Sequence, residues 1–481
     1  MAESTVPAQE RNEHPVSLIA ARIDRIPVWP YKPFIYVIIG MGFFFSFFEI
    51  GTIGPTLPKV IAATHSNTGA GALAVSLGLW GYIVGSPLNS AVSDRFGRRL
   101  ALLNAMVLYG IGAVGCAVST SMPEFTTLRF IGGMGIGASI AVISTYISEL
   151  SPAERRGRSM GYTTLPAVLA GAVGPFIALG LVPHFADGWR FMTVIPALGT
   201  IAFIATFRLL PESPRWLAAN GRLDEADRIV SEAEGYAMAR LRTSELPPVV
   251  VSPYHEPLAI SFWARAGLLL RPPYMRWTLT FLLLWICQTL PAYGISGLGV
   301  TLLVEHGYTL TKSIELTFGT AAGSVVGGLT AIYVGDRMPR KWAAAGSSIL
   351  VAAGFILLGL HTTTWLVFLA FFLSSFQTGV CSAVVYMLTA EHFPTQIRNT
   401  GMAMSDGVGH VGGALGPIVA SSVFSGLGFS AVFIVLGSVY VCYVGLVSSA
   451  RNTTRRPLQE IHIPAMLSPE QPVAAIESQE A

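Results

Sequence analysis

Apolar and polar residues alternate along this chain in long blocks rather than by the helical turn. Apolar runs of about twenty residues lie near 34–57, 70–92, 100–119, 123–149, 162–183, 191–210, 274–298, 314–335, 342–361, 364–390, 400–424 and 429–449. A run of ~20 apolar residues crosses a ~30 Å hydrocarbon core as an α-helix, which satisfies its own backbone hydrogen bonds. The pattern predicts an all-α membrane protein with twelve transmembrane helices. Short polar loops separate the blocks, except for the stretch 211–272, which holds a helix-like segment from Arg222 to Arg242 and a Pro-rich one from Leu246 to Pro257. The chain therefore divides into an N-terminal segment 1–32, a six-helix bundle 33–210, a linker 211–272, a second six-helix bundle 273–450 and a tail 451–481 expected to be disordered.

Composition agrees. Hydrophobic residues make up 52% of the chain and charged residues 12%, against about 25% charged in soluble domains; mean hydropathy is +0.58. The 50 glycines and 30 prolines suit spanning helices, where neighbours re-satisfy the backbone. A net charge of +3 gives no reason to expect nucleic acid as a partner. Cys116, Cys287, Cys381 and Cys442 all fall inside apolar runs and read as packing residues. The first 32 residues are polar, so no cleaved leader is expected and the first apolar run stays as a span. Apart from Lys59, Arg190, Lys312 and the intramembrane Arg129, the basic residues fall on one side of the predicted membrane. Basic loops favour the cytoplasm, which predicts cytoplasmic termini in a plasma (inner) membrane.

Three motifs recur at one spacing. Asp94-Arg95-Phe96-Gly97-Arg98-Arg99 follows the second span, and Asp336-Arg337-Met338-Pro339-Arg340-Lys341 follows the eighth. Glu149, Pro152 and Arg156 form ExxPxxxR after the fourth span, and Glu391, Pro394 and Arg398 repeat it after the tenth. Gly171 and Gly174-Pro175 match Gly413 and Gly416-Pro417. Each pair is separated by the same 242 residues, so the bundles are copies of one another and are expected to be pseudo-symmetric. A site at the interface of two such repeats can open to either side of a membrane as the halves rock.

These motifs, with RFIGGMGIG in span four and Pro211-Glu212-Ser213-Pro214-Arg215-Trp216-Leu217 after span six, resemble the major facilitator superfamily. The resemblance covers residues 18–450, and PESPRWL narrows it to the sugar-porter-like and synaptic-vesicle-glycoprotein-like branches. Ala21-Arg22-Ile23-Asp24-Arg25-Ile26-Pro27 resembles the start of bacterial metabolite:proton symporters. The resemblance implies a cytoplasmic gate at Asp94, Arg95, Gly97, Arg98 and Arg99. It also implies a charge network of Glu149, Arg156, Glu212, Arg215, Asp336, Arg337, Glu391 and Arg398 at the helix ends. Ser90 stands where the family usually has glycine, and Pro339 replaces the glycine in the second copy. The Gly133–Gly137 run lies within a span with no preceding strand, so close helix packing is expected there rather than a dinucleotide loop.

Ionisable residues at membrane depth are functional candidates by default. Glu49 in span one and Arg129 in span four are expected at overlapping depths, as a proton-coupling element, a substrate ligand or a static ion pair. Asp406 and His410, four residues apart on span eleven, share a helix face and could relay a proton or bond loop groups. Trp285, Gln288 and Tyr293 in span seven and Gln377 and Tyr386 in span ten are candidate substrate contacts or packing residues. Related aromatic-acid symporters carry Asp-Gly-aromatic-Asp where this chain has Ser46-Phe47-Phe48-Glu49, and sugar porters carry a paired-Gln signature where it has Gln288 alone. Neither substrate is the first choice. No Ser/His/Asp set, metal-spaced histidine cluster or phosphate-binding glycine loop is visible, so neither an enzyme nor a cofactor or metal is expected. The expected function is a monomeric secondary transporter moving a small organic metabolite (organic acid, vitamin-like or sugar-like), with a proton as coupling ion and the lipid bilayer as surroundings. A proton-independent facilitator or exporter, or a non-transporting receptor, is the alternative.

Overall fold

The computed structural model describes residues 15–250, 262–334, 337–393 and 397–453. Its helices are α1 (Pro15–Asp24), α2 (Phe34–Ala63), α3 (Thr68–Phe96), α4 (Arg98–Val118), α5 (Met122–Leu150), α6 (Arg156–Leu181), α7 (Gly188–Thr206), α8 (Pro214–Ala219) and α9 (Leu223–Leu241). They continue as α10 (Phe262–Leu269), α11 (Met275–Glu305), α12 (Leu310–Leu316), α13 (Phe318–Val334), α14 (Arg340–Leu360), α15 (Thr364–Glu391), α16 (Arg398–Met402), α17 (Val408–Leu427) and α18 (Phe429–Ser448). A π-helical stretch, Ala403–Gly407, joins α16 to α17.

Eleven helices among the described residues are long and apolar enough to cross a membrane: α2 to α7, α11, α14, α15, the stretch Thr400–Leu427 ending in α17, and α18. The eighth predicted span is divided at Thr317 into α12 and α13. α13, Phe318–Val334, has 17 residues; the predicted gate residue Asp336, and Pro394 of the second ExxPxxxR motif, lie outside the described residues. The predicted twelve-helix all-α class holds. The expectation for the tail falls largely on 454–481, outside the described residues, and the Pro-rich stretch is described only to 250.

By contacts the chain forms two compact units, 1–52 with 80–174 and 187–256, and 53–79 with 175–186 and 257–481. The first unit is built around Ile39, Phe43, Leu102, Met106, Ile143 and Phe203, all at most 4% exposed. Glycine lets its helices approach closely: a Cβ on Gly137 of α5 would strike the Tyr82 backbone, and one on Gly135 the Tyr109 backbone. This is the small-residue packing expected of the Gly133–Gly137 run. Outside the spans, α1 lays Ile19 and Ile23 on Trp216, Leu217, Ala226 and Val230 of α8 and α9. The amphipathic α1 thus buries its apolar face within the unit.

The second unit packs Phe281, Leu284, Ala344, Val384, Leu388 and Tyr443 at its core. The far ends of α2 and α3 belong to it. Ser76 Oγ donates to the Ala414 carbonyl at 2.5 Å, and Gly54 lies against the Ser296 carbonyl, leaving no space for a Cβ. Thr68 Oγ1 donates to Glu305 Oε1 at 2.9 Å.

Candidate functional site

Glu49 lies midway along α2 and Arg129 in the third turn of α5. The structure brings them together: Arg129 Nη1 donates to Glu49 Oε1 at 2.5 Å, with the residues 7% and 4% exposed. Gly132, one turn along α5, lies beside the carboxylate; a Cβ there would sit 3.4 Å from Glu49 Oε1, in van der Waals contact. One turn before Glu49, Ser46 Oγ and Ser139 Oγ hydrogen-bond at 2.9 Å. Glu49 Oε2 and Arg129 Nε have no hydrogen-bond partner among the described residues. A buried charge pair is stable only when each charge keeps its partner, and this pair rests on a single bond with bonding capacity unused on both sides.

The predicted gate residues of the first unit form one network at the helix ends. Arg98 places Nε and Nη2 on the two oxygens of Glu149, at 2.9 and 2.8 Å, and Nη1 on Asp94 Oδ1 at 3.0 Å. Bidentate pairing of this kind is the strong form of a charge-assisted bond. Glu212 accepts the backbone amides of Arg98 and Arg99 at 2.8 and 3.3 Å, placing a carboxylate at the N-terminus of α4, where free amides and the helix dipole favour negative charge. Gly97 has φ 97°, and a Cβ there would collide with the Glu212 carboxylate. Trp216 Nε1 donates to the Asp94 carbonyl at 2.8 Å. Arg95 is exposed and lies 5.4 Å from the Phe96 ring.

The arginines of the two ExxPxxxR motifs reach groups other than the glutamate carboxylates of their motifs. Arg156 Nη2 and Arg215 Nη2 converge on Asp24 Oδ1 at 3.3 and 2.8 Å, and Arg215 Nε donates to the Glu149 carbonyl. Arg398 Nε donates to the carbonyls of Ala390 and Phe393, tying down the end of α15. In the second unit Glu391 is held by Arg340, and Arg337 lies over the Tyr333 ring while donating to its carbonyl at 2.9 Å. Asp24 and Arg340 were not singled out in the sequence. Arg340 was findable, because it stands 242 residues after Arg98; Asp24 lies in the Ala21–Pro27 motif, which gave no indication of its partners.

The remaining candidates gather within the second unit. Asp406 lies in the π-helical turn, a feature that often marks functional positions in helices. Its carboxylate accepts from Tyr386 Oη at 3.2 Å to each oxygen and lies 3.3 Å from His410 Nδ1. The Trp285 and Tyr386 rings are 4.6 Å apart, and Tyr293 is 6.1 Å from His410. Trp285, Tyr293, Tyr386, Asp406 and His410 thus form one aromatic and acid–base cluster. Gln288 and Gln377 stand apart from it: their amides bond each other at 2.9 and 2.6 Å, and Gln377 also reaches Ser348 at 3.0 Å. Both glutamines are at most 5% exposed, so in this conformation their groups are used in packing α11 against α15.

The family described as sugar (and other) transporter matches residues 34–463. A putative metabolite transport protein, YyaJ of Bacillus subtilis (strain 168), is 25% identical over 94% of this chain and 99% of its own. The niacin transporter NiaP of Acinetobacter baylyi is 27% identical over 89% of this chain and 96% of its own. The inward-open xylose transporter XylE from E. coli has the same fold, with a TM-score of 0.68 at 19% identity over 89% of this chain and 99% of that one.

Proposed function

From the premise that the chain belongs to the sugar (and other) transporter family, and is a multi-pass membrane transporter, we propose that it is a proton symporter for a small organic metabolite. The observation that carries this reading is the buried Glu49–Arg129 pair. With Glu49 ionised, the carboxylate holds the guanidinium. A proton taken up by Glu49 removes the attraction, leaves Arg129 free for an anionic or strongly hydrogen-bonding substrate, and couples the two binding events. Asp406, His410 and Tyr386 form a second element that can hold a proton, since histidine and carboxylate at bonding distance share one readily. Trp285 and Tyr293 offer ring faces to the substrate. Both termini lie in the cytoplasm of the plasma membrane on this reading, supported by the side on which the basic residues fall. Small carboxylates head the candidate substrates; niacin, an aromatic acid that the Ser46–Glu49 stretch does not put first, returns among them because curated relatives named as niacin transporters align over most of the chain.

The test is uptake of radiolabelled niacin, aliphatic carboxylates and sugars into cells expressing the protein. Accumulation of a substrate should collapse with an uncoupler. Glu49→Gln should abolish accumulation while exchange of internal for external substrate continues. Accumulation that survives both treatments would sink the symport reading and leave a facilitator or an exporter.

A further inference from the structure

A cavity of about 670 Å³ opens at the ends of three spans of the first unit, away from the Glu49–Arg129 pair. Three of its apolar lining residues mark where spans begin or end: Phe34 is the first residue of α2, Leu100 the third of α4, and Leu209 the last of the span that starts with α7. These three are 39%, 44% and 57% exposed. The lining also carries basic residues, from the chain before α2, the turn Phe207–Leu209 and α9. Lys32, Arg208 and Arg228 line the cavity, are exposed, and make no ion pair among the described residues. Arg99 lines it too, with a buried Nε that has no hydrogen-bond partner.

The carboxylates in the lining do not cancel this charge. Glu225 is held by Arg222 through bonds of 2.8 and 2.6 Å. Glu212 is committed to the backbone amides of Arg98, Arg99 and Ser213. That leaves Glu232 against three unpaired cations and the Arg99 guanidinium. Basic side chains over an apolar ledge at the end of membrane spans match a molecule with a negative head and hydrocarbon tails. We propose that this cavity binds the phosphate headgroup of an anionic phospholipid, whose acyl chains run past Phe34, Leu100 and Leu209 along the spans. The inference is independent of the transport reading.

The test is native mass spectrometry of the full chain in neutral detergent, titrated with phosphatidylglycerol. One tightly held lipid per chain is expected, bound at least about tenfold more tightly than phosphatidylcholine, since each basic side chain near a headgroup adds measurably to binding. The triple variant Lys32→Ala, Arg208→Ala, Arg228→Ala should lose that preference and keep the wild-type melting temperature, because all three side chains are exposed. Equal binding of the two lipids by the wild-type chain overturns the proposal without recourse to any variant. So does a triple variant that folds and still prefers phosphatidylglycerol. Displacement of the lipid by equimolar inorganic phosphate or acyl-free glycerophosphoglycerol would show that a soluble phosphate compound occupies the site, and overturns the lipid assignment.

Discussion

Arg340 sets one guanidinium nitrogen between both carboxylate oxygens of Glu391, at 2.6 and 2.7 Å, and it does so 242 residues after Arg98 grips Glu149. In each copy the partners are 51 residues apart in sequence. The duplication has kept an interaction as well as a motif. In both pairs the arginine begins a helix and the glutamate sits in the last turns of one. The side chains are only 10–19% exposed, so the pairs are drier than ordinary surface salt bridges. A double-mutant cycle on Arg98→Ala and Glu149→Ala should give a coupling of about 1.5–3 kcal/mol, the range for hydrogen bonds to charged groups. The same cycle on Arg340 and Glu391 should give a similar value. Thermal unfolding in detergent measures both, and a coupling near zero in either copy would show that its charges are solvated.

The single hydrogen bond between Arg129 and Glu49 makes a second prediction. One Nη atom does the bonding, and Nε has no partner. Lysine can replace one donor but not a bidentate fork. Arg129→Lys should therefore retain more stability than Arg129→Ala, which strands a buried carboxylate and should lose about 3–5 kcal/mol. Replacing both residues with methionine should destabilise less than Arg129→Ala alone, because no charge is left unpaired. Melting temperatures of the three variants in one detergent decide it; a double variant worse than the single one would mean that the pair is more than an ion pair in a dry site.

The docking of α1 should depend on acidity. Burial alone would raise the Glu234 carboxyl, but hydrogen bonds from Arg22 and Arg25, with their charges, outweigh it and hold the group below the ordinary carboxylate value. A depressed folded value means that the stabilisation is complete above the unfolded pKa, about 4.3, and fades as pH falls through the folded one. The docking of α1 on α8 and α9 should hold at neutral pH and weaken on acidification below about pH 4. Hydrogen exchange of the α1 amides across pH, compared between wild type and Glu234→Gln, tests this. Protection that is unchanged by pH in the wild type would rule the carboxylate out as the clasp.

The sequence was most legible where one helix face repeats in register. The predicted segment Arg222 to Arg242 is α9 to within a residue, because Ala226, Val230, Ala233 and Ala237 recur at helical spacing and are all buried. Glu49 and Arg129 could be matched because a charge at membrane depth needs a partner and each was the obvious one for the other. Ion-pair partners at the helix ends were not legible. Glu149 chose Arg98, and Arg156 turned to Asp24, since long side chains at a loop reach several partners and only the fold fixes which is nearest. Span ends also slipped. α2 runs on to Ala63 through Pro55 and Pro58, where the prediction stops at 57, because neighbouring helices support a backbone that proline would interrupt in water. The pairing of Gln288 with Gln377 was hidden for the same reason as the ion pairs: two polar residues on different spans give no sign in sequence that they satisfy each other.

Gly97 tests how tightly the first gate motif is constrained. Its backbone, at φ 97° and ψ 165°, lies in a region that is essentially glycine-only, where another residue costs about 1–3 kcal/mol. A Cβ would in addition strike the Glu212 carboxylate that caps α4. Gly221 supplies the comparison: it also has a positive φ, 76°, but nothing stands near its Cβ position. Gly221→Ala should therefore lose only the backbone strain, while Gly97→Ala should lose that and the Glu212 cap as well, so its drop in melting temperature should be clearly larger. In a Glu212→Gln background the difference between the two alanine variants should shrink, because the charged cap is already gone. Equal losses for Gly97→Ala and Gly221→Ala in the wild-type background would mean that Glu212 moves aside freely, and that the tight turn before α4 is a matter of backbone conformation alone.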